Sequence, residues 1–144
     1  MTRKDRALGL FKEGFSCSQA VAAVFAEDQG LPAETALRLS QGFGGGMARL
    51  AETCGAVTGA IMIVGLKHGR VRAKDEEAKE KTYALVQELF RRFRARHGSL
   101  LCRDLLGCDI GTAAGRKTAD DAKLHNTLCP LLIASAVEIL EDIL

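Results

Sequence analysis

The chain has no tryptophan, a single tyrosine and only two prolines in 144 residues. Large aromatic rings therefore contribute little to its core, which must be filled by Ala, Leu, Val and Ile, a composition that leans towards helix. It also lacks a long apolar run. The longest, Ala60 to Leu66, contains Gly65 and falls well short of the roughly 20 residues that a membrane-spanning helix needs. The opening residues, Met1 to Arg6, lead into no sustained apolar stretch, so no signal peptide is expected. Charge of one sign is missing as well: the net charge of +2 gives no reason to expect a nucleic-acid partner. These absences predict a cytoplasmic protein of one domain over residues 1–144, held in a compartment where thiols stay reduced.

What is present reads as helix throughout, and no segment shows strand alternation. Ala7, Leu10 and Phe11 share one face of a first helix that Gly14 ends. Ser16-Cys17-Ser18-Gln19 has the capping-box spacing that opens a second helix, with Ala20, Val21, Val24 and Phe25 as its buried stripe and Gly30 as its stop. Pro32 starts a short third helix that runs out near Ser40 or Gln41. After the glycine run Gly42-Phe43-Gly44-Gly45-Gly46, a fourth helix is expected from about Ala48 to Lys67. It is apolar nearly all round, hence central and buried. Lys74 to Arg96 reads as a long amphipathic helix on Leu85, Val86, Leu89, Phe90 and Phe93. Ser99 is expected to cap a short helix through Leu106, Gly107 to Thr127 to be mostly loop, and a last helix to begin at Pro130. The fold class is accordingly all-α, a single-domain bundle of about six to seven helices around a small-residue central helix.

Cysteine is the unusual abundance: Cys17, Cys54, Cys102, Cys108 and Cys129. An odd number in a reducing compartment argues for metal binding or redox chemistry rather than a disulfide framework. No CxxC and no zinc-finger spacing occurs, so local sequence defines no metal motif. Position says more. Cys17 follows the expected cap Ser16, Cys102 lies three residues after the expected cap Ser99, and Cys129 directly precedes Pro130. Unpaired backbone N–H groups and the positive end of the helix dipole favour a thiolate there, and the thiolate is both nucleophile and metal ligand. Cys54 is expected inside the central helix, where Ala51, Gly55 and Gly59 recur every fourth residue. That stripe is either a surface for tight helix packing or space for a bulky ligand beside Cys54.

At these residues the chain resembles a family of redox-active proteins labelled C_GCAxxG_C_C. Cys54-Gly55-Ala56-Val57-Thr58-Gly59 carries the central motif, in the order Cys-Gly-Ala where the label writes Gly-Cys-Ala. Phe15-Ser16-Cys17-Ser18-Gln19-Ala20, the Gly42–Met47 loop, Cys102-Arg103-Asp104-Leu105-Leu106-Gly107 and Cys129 supply the rest. The resemblance covers nearly the whole chain. It implies a helical fold with Cys17, Cys54, Cys102 and Cys129 as the functional set, supported by Gly44, Gly45, Gly46, Gly55 and Gly59, and it leaves Cys108 outside. The family also resembles the N-terminal part of split-Soret cytochromes, which carries an iron–sulfur cluster; no CxxCH haem attachment sequence is present here.

Three chemistries follow for the four cysteines: an iron–sulfur cluster for electron transfer or redox sensing, metal-free thiol–disulfide exchange, or a structural zinc ion. Without any of them the chain would be a helical interaction module with buried cysteines. A redox partner protein or a second copy of the chain are the partners to look for. The stretch Arg91 to His97 reads as a solvated helical face. The glycine run lacks the Lys-Ser/Thr of a nucleotide loop, and no Ser/His/Asp set points to hydrolysis. His125, four residues before Cys129, is the one histidine expected near the site.

Overall fold

The computed structural model describes residues 1–144 as eight helices of five residues or more with no sheet. Helix α1 (Arg3–Glu13) opens on a Thr2–Asp5 capping box and closes on Gly14 in the left-handed conformation. Helix α2 (Cys17–Ala26) opens on the reciprocal Ser16–Gln19 box. It continues through one turn of 3-10 helix to Gly30. Helix α3 (Ala33–Ser40) is capped by Pro32. Helix α4 (Gly55–His68) is followed by the long α5 (Glu76–His97), the short α6 (Cys102–Leu106), α7 (Ala113–Asp121) and α8 (Cys129–Ile143). A single turn of helix, Leu124–Thr127, leads into α8.

The all-α single-domain expectation holds. Helices α2, α4 and α8 form the centre, with α1, α3 and α5 packed around them. A core of 21 buried residues runs through these elements, and a satellite of Ala51, Cys102, Ile110 and Ala119 lies beneath α6 and α7. Every residue of α2 from Ser18 to Ala26 is buried, so this helix shares the central position expected for α4 alone. Its buried polar groups are satisfied. Ser18 Oγ donates to the Ser40 carbonyl at 2.8 Å, and Gln19 Nε2 donates to the Leu37 carbonyl and to Gln41 Oε1, each at 3.0 Å. The capping residue thereby ties the start of α2 to the end of α3.

The basic stretch near the end of α5 is largely neutralised. Arg91 and Arg92 pair with Glu88, Arg92 reaches Asp142 at 3.6 Å, and Arg96 reaches Glu138 at 3.2 Å. The latter two bonds fasten α5 to α8.

Three local expectations are corrected. The fourth helix starts at Gly55, not near Ala48, because residues 45–49 all have φ between 51° and 70°. This left-handed turn is closed by the Ala48, Arg49 and Glu52 amides donating to the carbonyls of Gly42, Gly44 and Gly46. The cap of α6 is Leu101. Ser99 acts one step earlier, its Oγ accepting from the Leu101 amide and donating to Asp104. Finally, part of the expected 107–127 loop is helical: Thr112 caps α7 by accepting from the Gly115 amide at 2.9 Å.

Candidate functional site

Each of the four cysteines singled out above sits at a helix start. Cys17 is the first residue of α2, Cys102 of α6 and Cys129 of α8, and Cys54 is the N-cap of α4. Moving Cys54 out of the helix interior thus extends to all four a placement expected for three. Cys54 stands over the free backbone N–H groups of the helix's first turn, and those of Ala56 and Val57 partly offset the effect of burial on its thiol.

Two backbone devices bring these starts together. The first is a two-residue antiparallel bridge between Thr53 and Leu101. In it the Cys54 amide donates to the Leu100 carbonyl at 2.8 Å, and the Cys102 amide donates to the Glu52 carbonyl at 2.7 Å. Arg103 locks the bridge from the side, with Nε on the Ala51 carbonyl at 3.0 Å and Nη2 on Glu52 at 2.8 Å. The second device is glycine. A Cβ on Gly55 would stand 3.4 Å from Cys17 Cβ, and one on Gly59 would stand 2.7 Å from the Ser18 carbonyl oxygen. The small-residue face of α4 is therefore filled by α2 itself. In the loop, a Cβ on Gly44 would lie 2.6 Å from Ser16 Cβ, and one on Gly46 would lie 2.8 Å from Cys102 Cβ. Bare backbone there lets the left-handed turn pass between the two cysteine-bearing segments.

The four thiols line one cavity of about 1280 Å³, together with Gly44, Gly45, Gly46 and Gly55. Gly59 lies outside it, under Ser18, and Cys108 is not in its wall. Cys54, Cys102 and Cys129 are buried and Cys17 is half-buried. Their charges are mutually felt. The interaction with Cys129, burial and the charges of the neighbouring thiols hold the Cys17 thiol well above its ordinary range. The same interaction, reinforced by His125, holds Cys129 well below. Burial pushes Cys54 up to about 11 and, with the neighbouring thiolates, Cys102 up to about 12. His125 Nδ1 lies 3.8 Å from Cys129 Sγ, a contact that raises its own pKa. One thiolate is thus favoured and three are not. Four would repel one another unless positive charge or a covalent bond joined them.

Residues 15–143 match the model of the family described as "Putative redox-active protein (C_GCAxxG_C_C)". The chain belongs to that family. The match spans every residue of the four-thiol cavity except Leu8, Phe11, Lys12 and Gly14. Comparison with curated proteins and with solved structures returned no match.

The donor set suits the cluster that the family resemblance implied. Four soft thiols at helix starts, where backbone N–H groups are free, are features an iron–sulfur site can use, and the cavity leaves room for a group of several atoms. No three His, Cys, Asp or Glu side chains close around a single-ion position. Residues that sequence reasoning missed are the locking pair Arg103 and Glu52 and three cations in the cavity wall, Lys12, Arg49 and Arg116. Arg103 lies in the Cys102–Gly107 segment that carries part of the resemblance, with no role assigned to it there; the other four lie in no motif.

Proposed function

We propose that this is a redox protein in which Cys17, Cys54, Cys102 and Cys129 hold an iron–sulfur cluster for electron transfer or redox sensing. The observation that carries the reading is the convergence of four helix-start thiols on one cavity. Burying four mutually repelling thiols is costly, and a cationic iron centre offsets that repulsion. Bound there, the cluster supplies one-electron transfer. The chain's own part is to place the sulfurs, through the Thr53–Leu101 bridge and the α2–α4 contact, and to keep three of them out of water. The reading suits a reducing compartment such as the cytoplasm.

The test is anaerobic purification or reconstitution, with iron and sulfide analysis and visible absorption. Stoichiometric iron and sulfide with a charge-transfer band is the expected result, lost when Cys54 or Cys102 is replaced by Ser. A colourless, iron-free protein after anaerobic reconstitution overturns the reading.

One pairing favours a second reading, thiol–disulfide exchange without metal. Cys17 and Cys129 line the same cavity and act on each other's ionisation, Cys17 held protonated and Cys129 readily ionised, which pairs an attacking thiolate with a resolving thiol. Oxidation by an external disulfide would then convert the two thiols to one intramolecular disulfide, with two protons and two electrons passing to the oxidant. Mass spectrometry that finds both thiols still alkylated after such a challenge excludes it.

A further inference from the structure

The cavity is larger than the group proposed for it. An eight-atom cluster, taken at about 30 Å³ per water-sized atom, fills about 240 Å³ of the 1280 Å³. On the order of 1000 Å³ remains, the size of a small-molecule site. Its wall has two kinds of surface. Leu8, Phe11, Phe15 and Ile110 make it apolar, whereas Lys12, Arg49 and Arg116 set three cations against one carboxylate, Asp120.

None of those three cations takes part in a salt bridge. This differs from the basic stretch of α5, whose Arg91, Arg92 and Arg96 all meet acids. Arg116 spends one N–H on the Ile110 carbonyl at 3.1 Å and keeps the others. Arg49 is carried on the left-handed turn, its Cγ close over Gly45, and its charge is felt at His125 beside Cys129. All three are exposed residues of the cavity wall, free to reach an anion at its mouth, and a concave, part-apolar wall suits a small molecule better than the face of a protein.

We propose that the outer part of this cavity binds an organic anion with an apolar body, a carboxylate or sulfonate on an aromatic ring, seated over the four thiols. Its placement above a cluster rests on the proposed function; the pocket itself does not. The guanidinium groups of Arg49 and Arg116 offer paired N–H donors to the anionic oxygens, and Phe11 and Phe15 cover the ring.

The experiment is a titration of the full chain with naphthalene sulfonate and with the uncharged naphthalene sulfonamide, followed by backbone amide shifts. It is run on reduced, iron-free protein and repeated on anaerobically reconstituted protein. Saturable shifts at Phe15, Gln41, Arg49 and Asn126, with none along Glu76–His97, are expected in both. The R49Q/R116Q variant should bind the sulfonate about tenfold more weakly and the sulfonamide unchanged, with an otherwise preserved spectrum showing that it is folded. Absence of saturable shifts, shifts confined to a separate apolar groove lined by Leu31, Leu39 and Leu66, or equal loss of both probes in the variant overturns the proposal. So does binding that vanishes once iron is incorporated. Iron-loaded protein that ignores the anion refutes this proposal alone; protein that takes up no iron yet binds the anion refutes the cluster alone.

Discussion

Two alanine substitutions in one helix measure how tightly the site is built. Gly59 and Gly65 both lie inside α4, so replacing either by Ala should bring the same helix-propensity gain of about 1 kcal/mol. Their surroundings differ. Nothing lies within 4 Å of a Cβ placed on Gly65, whereas one on Gly59 meets the Ser18 carbonyl oxygen at 2.7 Å and Ser18 Cα at 3.1 Å. Those atoms are backbone of a helix buried on every side, and they cannot swing away as a side chain would. Overpacking of this kind costs about 1–3 kcal/mol. Gly65→Ala should therefore stabilise by about 0.5–1 kcal/mol and Gly59→Ala destabilise by about 1 kcal/mol. At about 2–4 °C per kcal/mol for a chain of this size, the melting temperatures should stand about 3–8 °C apart. Urea denaturation and thermal melts of the two variants beside the parent protein give the comparison. Equal stabilisation by both would refute the α2–α4 contact as described, and with it the closeness of Cys17 to Cys54.

In reduced, metal-free protein, iodoacetamide at neutral pH should alkylate Cys129 first and lose its rate as pH falls through the depressed range of that thiol; uniform labelling of all five cysteines would contradict this. His125→Ala should slow that labelling by about three- to tenfold by removing the hydrogen bond to Cys129 Sγ, and an unchanged rate would count against the pairing. Cys54 and Cys102 have folded-state values of about 11 and 12 against an ordinary 9.0. Their contribution to stability is whole below 9.0 and falls as pH rises towards those values, so urea midpoints should drop across that alkaline window and flatten in a C54A/C102A variant. Arg103→Ala, which removes the bond to the Ala51 carbonyl and the pair with Glu52, should cost about 1–2 kcal/mol, measured by urea denaturation; a loss indistinguishable from zero would show that the bridge needs no lock.

Much of the fold was legible because its signals are local. Gly14, Ser16 and Pro32 act within one turn of themselves, and the three-four spacing of α5 and α8 marks the faces they bury. The exceptions share a cause. No local preference puts Met47, Ala48 and Arg49 in left-handed conformations, each at a cost of roughly 1–2 kcal/mol. The backbone bonds to Gly42, Gly44 and Gly46 and the close approach of Gly46 to Cys102 hold them there, and neither shows in local residue type, which is why α4 starts later than its apolar pattern suggests. Helix α7 buries Ala119 alone and thus displays no apolar stripe to read. For the site, residue type and the family motif marked four cysteines. Their meeting at one cavity, and the arrival of Lys12, Arg49 and Arg116 beside them, depend on contacts between segments far apart in the chain.

The four thiols are spaced 37, 48 and 27 residues apart, and each stands at the head of a different helix. No fragment of the chain that stops short of Cys129 holds the full set, however well its earlier helices have formed. During synthesis the first three cysteines must wait as separate thiols until the last helix docks. Completion of the cavity is therefore a report on the whole fold, and damage to any one of those helices disassembles it.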